Sequence, residues 1–357
     1  MNLKTNPEIL LKRMTILNKL PAIDKLSIQH TQDDLCVCAL GFEDRCNIGL
    51  SRLEKSGYVS KSAILLTYDV HEKENNRNRR ELLKILQKIS KTPFITSKYF
   101  VTDPFSSETK FIEALNTALK QSTVSTITID ITSFSSASII QILDLLMQYT
   151  QKTLKQIRII YTEAKTYFPL KSDAKRIKIL PEKVYLSSGV KEVITLRRFN
   201  GIFYPGYSTL LIIFLGFDPI RARGAINRLQ PSRKIGIIGE PPLQNRKWRA
   251  DEVRKINLGI FDKKDETIQL STFNYQETVL ELEKLYEKFS SQSNIAICPL
   301  GSKLQTIGVL LFARNHLDVK LLFPIPMEFH PKRYSKGFSK TWQLVFDEIY
   351  LRNKEKC

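Results

Sequence analysis

The chain has 357 residues with 55 Lys+Arg against 36 Asp+Glu, a formal charge of +19, and 42% of it is hydrophobic and 25% charged. That balance excludes a disordered chain and is enough to build a core in each of two ordinary domains. No apolar run approaches the roughly 18–20 residues that cross a bilayer, the longest being the strand-sized Leu210 to Phe217, and the opening MNLKTNPEILLKRM lacks a signal-peptide core, so a cytoplasmic protein with no membrane association is expected.

In chain order, residues 1–34 read as one or two helices. Short runs rich in Val, Ile, Leu and Phe then predict strands near 35–42, 61–68, 97–102, 125–131 and 156–162, separated by segments of helical period. Runs without polar alternation signal a parallel sheet covered on both faces, so residues 35–169 are expected to form a doubly wound, Rossmann-like α/β domain. Residues 170–208 form a basic connector with a strand candidate at Glu192 to Arg197, and Tyr204-Pro205-Gly206 punctuates its end. A second doubly wound domain is expected over 209–331, with strands near 209–216, 234–239, 266–271, 294–298 and 319–324. The tail, 332–357, carries an aromatic strand candidate at Thr341 to Ile349 and a charged end.

The two domains are expected to be related by internal duplication, because several segments recur in the same order. LGFEDRCNIGLSRL (Leu40 to Leu53) matches LGFDPIRARGAINRL (Leu215 to Leu229) after one insertion, pairing Arg45 with Arg221 and Arg52 with Arg228. Asn76, Arg77 and Arg80 match Asn245, Arg246 and Arg249, and Glu108-Thr109 matches Glu277-Thr278. TITIDITSFSSASIIQIL from Thr126 matches NIAICPLGSKLQTIGVLL from Asn294, with Cys298 in the place of Asp130. IIYTEAKTYFP from Ile159 matches LLFPIPMEFHP from Leu321.

Ligands of open α/β sheets bind outside the carboxyl ends of the strands, and the repeated motifs all fall there. Ser133 and Ser135, with Ser136, sit where a helix begins, so their hydroxyls and the free amides could hold a phosphate; Gly301, Ser302 and Lys303 add a close backbone approach and a charge. Helix capping explains Ser133 and Ser135 equally well. The expected ligand site is Arg45, Asn76, Arg77, Arg80, Ser133, Ser135, Arg221, Asn245, Arg246, Arg249, Gly301, Ser302 and Lys303. Asp130, Glu163 and Glu43 could coordinate a metal or do acid/base work, or could pair with arginines to fix loops. Lys332, Arg333 and Lys336, interleaved with Tyr334 and Trp342, are candidate nucleic-acid contacts.

Several classes are excluded by pattern. There is no GxxxxGK[ST] loop and no GxGxxG after the first strand of either half, against a P-loop nucleotide triphosphatase and an NAD-dependent dehydrogenase. Cys36, Cys38, Cys46, Cys298 and Cys357 form no CxxC pair and the histidines are scattered, so no metal site is expected and no cofactor is indicated; Cys36 and Cys38 read as core thiols on one sheet face.

Tandem halves with polar fourth-strand loops (ITSFSS, PLGSK) and arginine-bearing first loops resemble CRISPR-associated Rossmann-fold sensors and their relatives in prokaryotic antiviral loci, over residues 35–330. GSK approximates the Gly-Thr-Lys turn of that group, and no effector nuclease or RxxxxH motif accompanies it. The resemblance implies a sensor or adaptor that captures a nucleotide or nucleic acid in the cleft between its halves, with a protein partner in a defence complex. The alternative is an enzyme on the same substrates, using Asp130 and Glu163 with Arg45 and Lys303 stabilising phosphate charge.

Overall fold

The structure, a computed structural model, describes residues 20–27, 32–121, 123–174, 185–263, 265–348 and 350. The helices expected before residue 31 fall largely outside that set, as do the charged end and Cys357.

The first half is built on β2 (Gln32–Leu40), whose residues from Asp33 onward are all buried. A strand covered on both faces has no polar side to alternate, which is why it reads as an unbroken apolar run. With β3 (Val59–Tyr68), β4 (Ile95–Tyr99), β5 (Thr126–Asp130) and β6 (Gln156–Thr162) it forms a parallel sheet in the order β4-β3-β2-β5-β6. The connecting helices are α1 (Ile48–Glu54), α2 (Glu72–Ile89), α3 (Pro104–Gln121) and α4 (Ser136–Tyr149). The second half repeats this order. Its strands β10 (Ser208–Leu215), β11 (Arg233–Glu240), β12 (Glu266–Ser271), β13 (Ser293–Pro299) and β14 (Lys320–Leu321) run parallel as β12-β11-β10-β13-β14. Its helices are α5 (Pro219–Leu229), α6 (Trp248–Asn257), α7 (Tyr275–Phe289) and α8 (Lys303–Ala313).

The halves are joined through α4 and α8, which pack on each other. Ala137 to Met147 and Leu304 to Ala313 are buried without exception. A helix that is apolar all round must be enclosed on every side, and here each supplies a wall of the other's core. Ile142, Leu146, Ile307 and Leu310 belong to one apolar cluster spanning both halves. At its margin Arg314, after α8, pairs with Asp144 of α4.

The segments between and after the halves exchange places. In the connector lie β8 (Ser187–Ser188) and β9 (Glu192–Ile194); after β14 come β15 (Phe323–Ile325), β16 (Glu328–Phe329), β17 (Ser335–Lys336) and β18 (Thr341–Asp347). The connector strands pair antiparallel with the second half, β9 on β15 and β8 on β16. The tail pairs antiparallel with the first half, β18 on β6 and β17 on β7 (Thr166–Tyr167). The registers correspond: Thr341 faces Thr162 and Trp342 faces Tyr161, as Val193 faces Pro324 and Ile194 faces Phe323. Gly189 and Gly337 occupy matching bends at φ +59° and +64°, a conformation that only glycine adopts without strain. Connector and tail are thus crossed arms, each completing the opposite half. An edge pair, β1 (Asp24–Lys25) on β18, closes the first sheet.

Candidate functional site

The carboxyl ends of both sheets open on one shared cavity of about 480 Å³, which the crossed arms help to enclose. It is walled by the β2–α1 loop and its counterpart after β10, by the loops leading into α4 and α8, and by Leu186 and Tyr334 from the two arms.

The first loops of the halves are built alike. Arg45, 4% exposed, donates from Nη1 to the carbonyl oxygen of Thr162 at 2.9 Å, at the end of β6, and Arg221 donates from Nε to that of Pro324 at 2.9 Å, in β15 just after β14. Glu43 accepts from Ser335 and Asp218 from Ser187, so each acid holds the arm of the other half. The electrostatics then diverge. Glu43 also pairs with Arg45 at 2.7 Å; burial alone would raise its pKa, but Arg45 and Lys303 hold it below the ordinary carboxylate value. Burial raises the Asp218 carboxyl, with Ser187 and Arg221 offsetting it only in part.

Arg246 and Arg249 line the cavity but are committed. Arg249 donates to the carbonyls of Tyr167 (3.2 Å), Phe168 (2.9 Å) and Pro169 (2.9 Å) and lies 4.5 Å over Phe217, and Arg246 donates to Lys165. Burial, with the neighbouring Arg246, lowers the Arg249 pKa to about 10. These bonds clamp the turn at the end of the first half onto the second. Lys303 differs. At the start of α8 it reaches across to the carbonyl oxygen of Phe134, and among the described residues no carboxylate forms an ion pair with it. Burial lowers its pKa to about 8, with Glu43 pulling the other way.

Ser135 and Ser302 hold matching places at the N-termini of α4 and α8, each closing a capping box, with Ser138 and Gln305 respectively. Ser135 is therefore a cap, and Ser302 also donates to Thr272 O. Ser133 and Gly301 line the cavity beside them. Three groups absent from the sequence-derived site also line it with a buried atom that has no hydrogen-bond partner among the described residues, the Tyr99 hydroxyl, the Gln305 amide nitrogen (Nε2) and Asp218 Oδ1, and the expected Ser133 does the same with its Oγ. A buried polar group left unpaired costs about 1–3 kcal/mol, so such atoms mark where a ligand would be accepted.

Other expected residues lie elsewhere. Asn76, Arg77 and Arg80 sit on the exposed face of α2; the inward positions are Asn75, bonded to Val70 O, and Asn78, bonded to Gly41 O and Glu43 O. Helix phase decides this, since neighbouring residues point about 100° apart. Asn245 is likewise exposed, on a turn before α6, so the N-R-x-x-R segments occupy different local structures. Asp130 is not among the residues around the cavity. It is 2% exposed, accepts from Thr132 N at 2.9 Å and lies under α1, where a Cβ on Gly49 would overlap Oδ2. Burial raises its pKa to about 6. Glu163 does line the cavity, but Asp130 and Glu163 form no catalytic pair there. Among the described residues no group of three or more His, Cys, Asp or Glu is placed to hold a metal.

Of the nucleic-acid candidates, Lys332 and Lys336 are exposed, whereas Arg333 donates to Tyr185 O across the arms. Trp342 lies within β18, with its ring 4.9 Å from that of Phe273, and so is not an open stacking platform. Cys36 and Cys38 are buried core thiols. No helix among the described residues is long and apolar enough to cross a membrane.

No protein-family model matches the chain, and no curated protein matches it. Solved structures that are similar to it include the cytoplasmic domain of a prokaryotic cation chloride cotransporter (TM-score 0.24, 10% identity, 84% of this chain and 99% of that chain). Others are a universal stress protein from Archaeoglobus fulgidus (0.21, 10%, 83% and 98%) and a C2-type ketoreductase from a modular polyketide synthase (0.17, 10%, 84% and 70%). Scores this low give no basis for transferring a function.

Proposed function

We propose that the protein is a binding module, a sensor or adaptor, that captures a small nucleotide in the cavity between two Rossmann-like halves derived from one duplicated unit. The observation that carries this reading is the cavity itself. Its volume of about 480 Å³ falls within the roughly 300–1,000 Å³ typical of small-molecule pockets. Its walls combine aromatic rings with a lysine that, among the described residues, forms no ion pair with a carboxylate and with a Tyr99 hydroxyl and a Gln305 amide nitrogen that find no hydrogen-bond partner among them. Aromatic surface, a cation and scattered polar groups together suit a planar base attached to a phosphate. The enclosure by the crossed arms favours a mononucleotide-sized ligand over a polymer. In this reading the bound nucleotide is reported to a partner protein, as a sensor of a prokaryotic antiviral system would do.

The enzyme alternative has less support, because Asp130 is turned away beneath α1, and of the carboxylates that line the cavity with Glu163, Glu43 is engaged by Arg45 and Ser335 and Asp218 by Ser187. The test is direct. Purified protein is denatured and its supernatant examined by absorbance and mass spectrometry, and nucleotide monophosphates are titrated while thermal unfolding is followed. A retained nucleotide, or stabilisation that grows with ligand as RT ln(1 + [L]/Kd), is expected. No retained compound and no shift with any nucleotide at millimolar concentration would refute the proposal.

A further inference from the structure

Four rings at the first-half side of the cavity form a closed circuit of contacts, three of them edge-on and the fourth, Phe329 with Tyr334, tilted. Phe42 and His71 have centroids 6.0 Å apart, His71 and Phe329 5.6 Å, Phe329 and Tyr334 6.2 Å, and Tyr334 and Phe42 5.6 Å. They come from four separate places: the loop after β2, the start of α2, β16 and the turn before β17. All four are half-buried and line the cavity. His71 holds φ +53°, a left-handed conformation uncommon for a side-chain-bearing residue, at the point where its ring joins the group.

The matching place in the second half is already filled. Phe217 corresponds to Phe42, and the Arg249 guanidinium lies 4.5 Å over its ring and 5.4 Å over that of Trp248 while tied to three carbonyls. In the first half Arg77 and Arg80 of α2 are exposed, and among the described residues no Lys or Arg stacks on the quartet. The cation is equally one-sided, since the first residue after the N-cap is Lys303 in α8 and Ser136 in α4. Lys303 acts on Glu43, the residue next to Phe42, so cation and rings flank a single loop.

We propose that the ligand sits in one orientation, its planar heteroaromatic ring in the quartet Phe42, His71, Phe329 and Tyr334 and its phosphate at Lys303. This rests on the nucleotide reading above. An aromatic quartet offers ring faces and edges to a flat π system, and the second half, its own seat occupied by Arg249, holds the anion instead. The two halves thereby play unequal parts in a fold whose backbone is nearly symmetric.

The test uses the full chain and titration calorimetry with AMP, GMP, CMP, UMP and inorganic pyrophosphate. Phe42→Leu and Phe329→Leu are expected to weaken nucleotide binding at least tenfold and leave pyrophosphate unchanged, while Lys303→Met weakens both. Photolabelling of the unaltered protein with 8-azido-AMP, which needs no variant to fold, is expected to modify peptides containing His71 or Tyr334. If nucleotides bind but the label maps to Trp248, or the leucine variants weaken pyrophosphate as much as AMP, the orientation is overturned and the binding function stands. If no probe binds the unaltered protein, both fall.

Discussion

Asp130→Asn separates the two functional readings by a stability measurement as well as by activity. Asp130 is 2% exposed, receives one backbone N–H from Thr132 and has Gly49 against its other oxygen. Burial raises its pKa from 3.8 to about 6. The folded state therefore holds this proton more tightly than the unfolded chain does. Well below pH 3.8 the group is protonated in both states and carries no penalty. As pH rises from about 4 to 6 the unfolded chain ionises while the folded site keeps its proton, so folding must take up a proton at increasing cost, and above about pH 7, where the buried group itself ionises, the penalty is complete. The rise from 3.8 to about 6 sets it at about 3 kcal/mol. Asparagine keeps the acceptor for Thr132 and abolishes the charge, but places an amide beside Gly49, which costs about 1 kcal/mol or more. Asp130→Asn is thus expected to stabilise the protein by about 1–2 kcal/mol at pH 8 and to be neutral or slightly destabilising at pH 4.5. Urea unfolding at the two pH values, with the m-value checked for constancy, measures this. Equal effects at both pH values, or destabilisation at pH 8, would show that the carboxylate is stabilised by its surroundings and would reopen a role for it in chemistry. Nucleotide affinity should be unchanged within twofold, because Asp130 does not line the cavity.

Gly49→Ala should destabilise by about 1–3 kcal/mol through overlap with Asp130, and the double variant with Asp130→Ala should recover part of that loss, a coupling readable in a double-mutant cycle. Arg249→Met removes three bonds to carbonyls and should lower stability by about 2–4 kcal/mol, whereas Arg77→Met and Arg80→Met, on an exposed face, should stay within about 0.5 kcal/mol in chemical denaturation. Lys303, with a pKa of about 8 in the free protein, is charged below that value. Affinity for AMP should therefore hold between pH 6.5 and 7.5 and decline above pH 8, by up to tenfold per unit, while Lys303→Met shows a flat profile over pH 7–9; the same decline in the variant would assign it to another group. Lys332→Glu with Lys336→Glu should leave AMP binding unaltered, and a large loss in calorimetry would move the site onto the arms.

The strands were legible because burial on both faces writes them as apolar runs: β6 was expected at 156–162 and is Gln156–Thr162, and β10 was expected at 209–216 and is Ser208–Leu215. Arg45 and Arg221 were legible for a related reason, since each sits in a loop whose neighbours are fixed by the strand before it. The N-R-x-x-R match failed because a linear pattern carries no helix phase, and the inward Asn75 and Asn78 sit one position before Asn76 and one after Arg77. The crossed arms left a signal that a search near 165–175 residues passes over: YLSSG at Tyr185 to Gly189 and RYSKG at Arg333 to Gly337 repeat at a spacing of 148. Their Ser187 and Ser335 bind Asp218 and Glu43, and their glycines make the bends. The spacing is short because the first half has a longer excursion between β7 and β8 than the second has between β16 and β17, and loop length is weakly constrained by stability. The quartet had no such signal, since Phe42, His71, Phe329 and Tyr334 lie on segments that meet only after the arms have crossed. Its existence depends on the exchange: Phe329 is held by the pairing of β16 with β8 and Tyr334 by the pairing of β17 with β7, so the pairings that lock the halves together also assemble the ring seat. A ligand pressing on Tyr334 acts on the residue adjoining Ser335 and its bond to Glu43, and that adjacency gives occupancy of the cavity a covalent route to the arm.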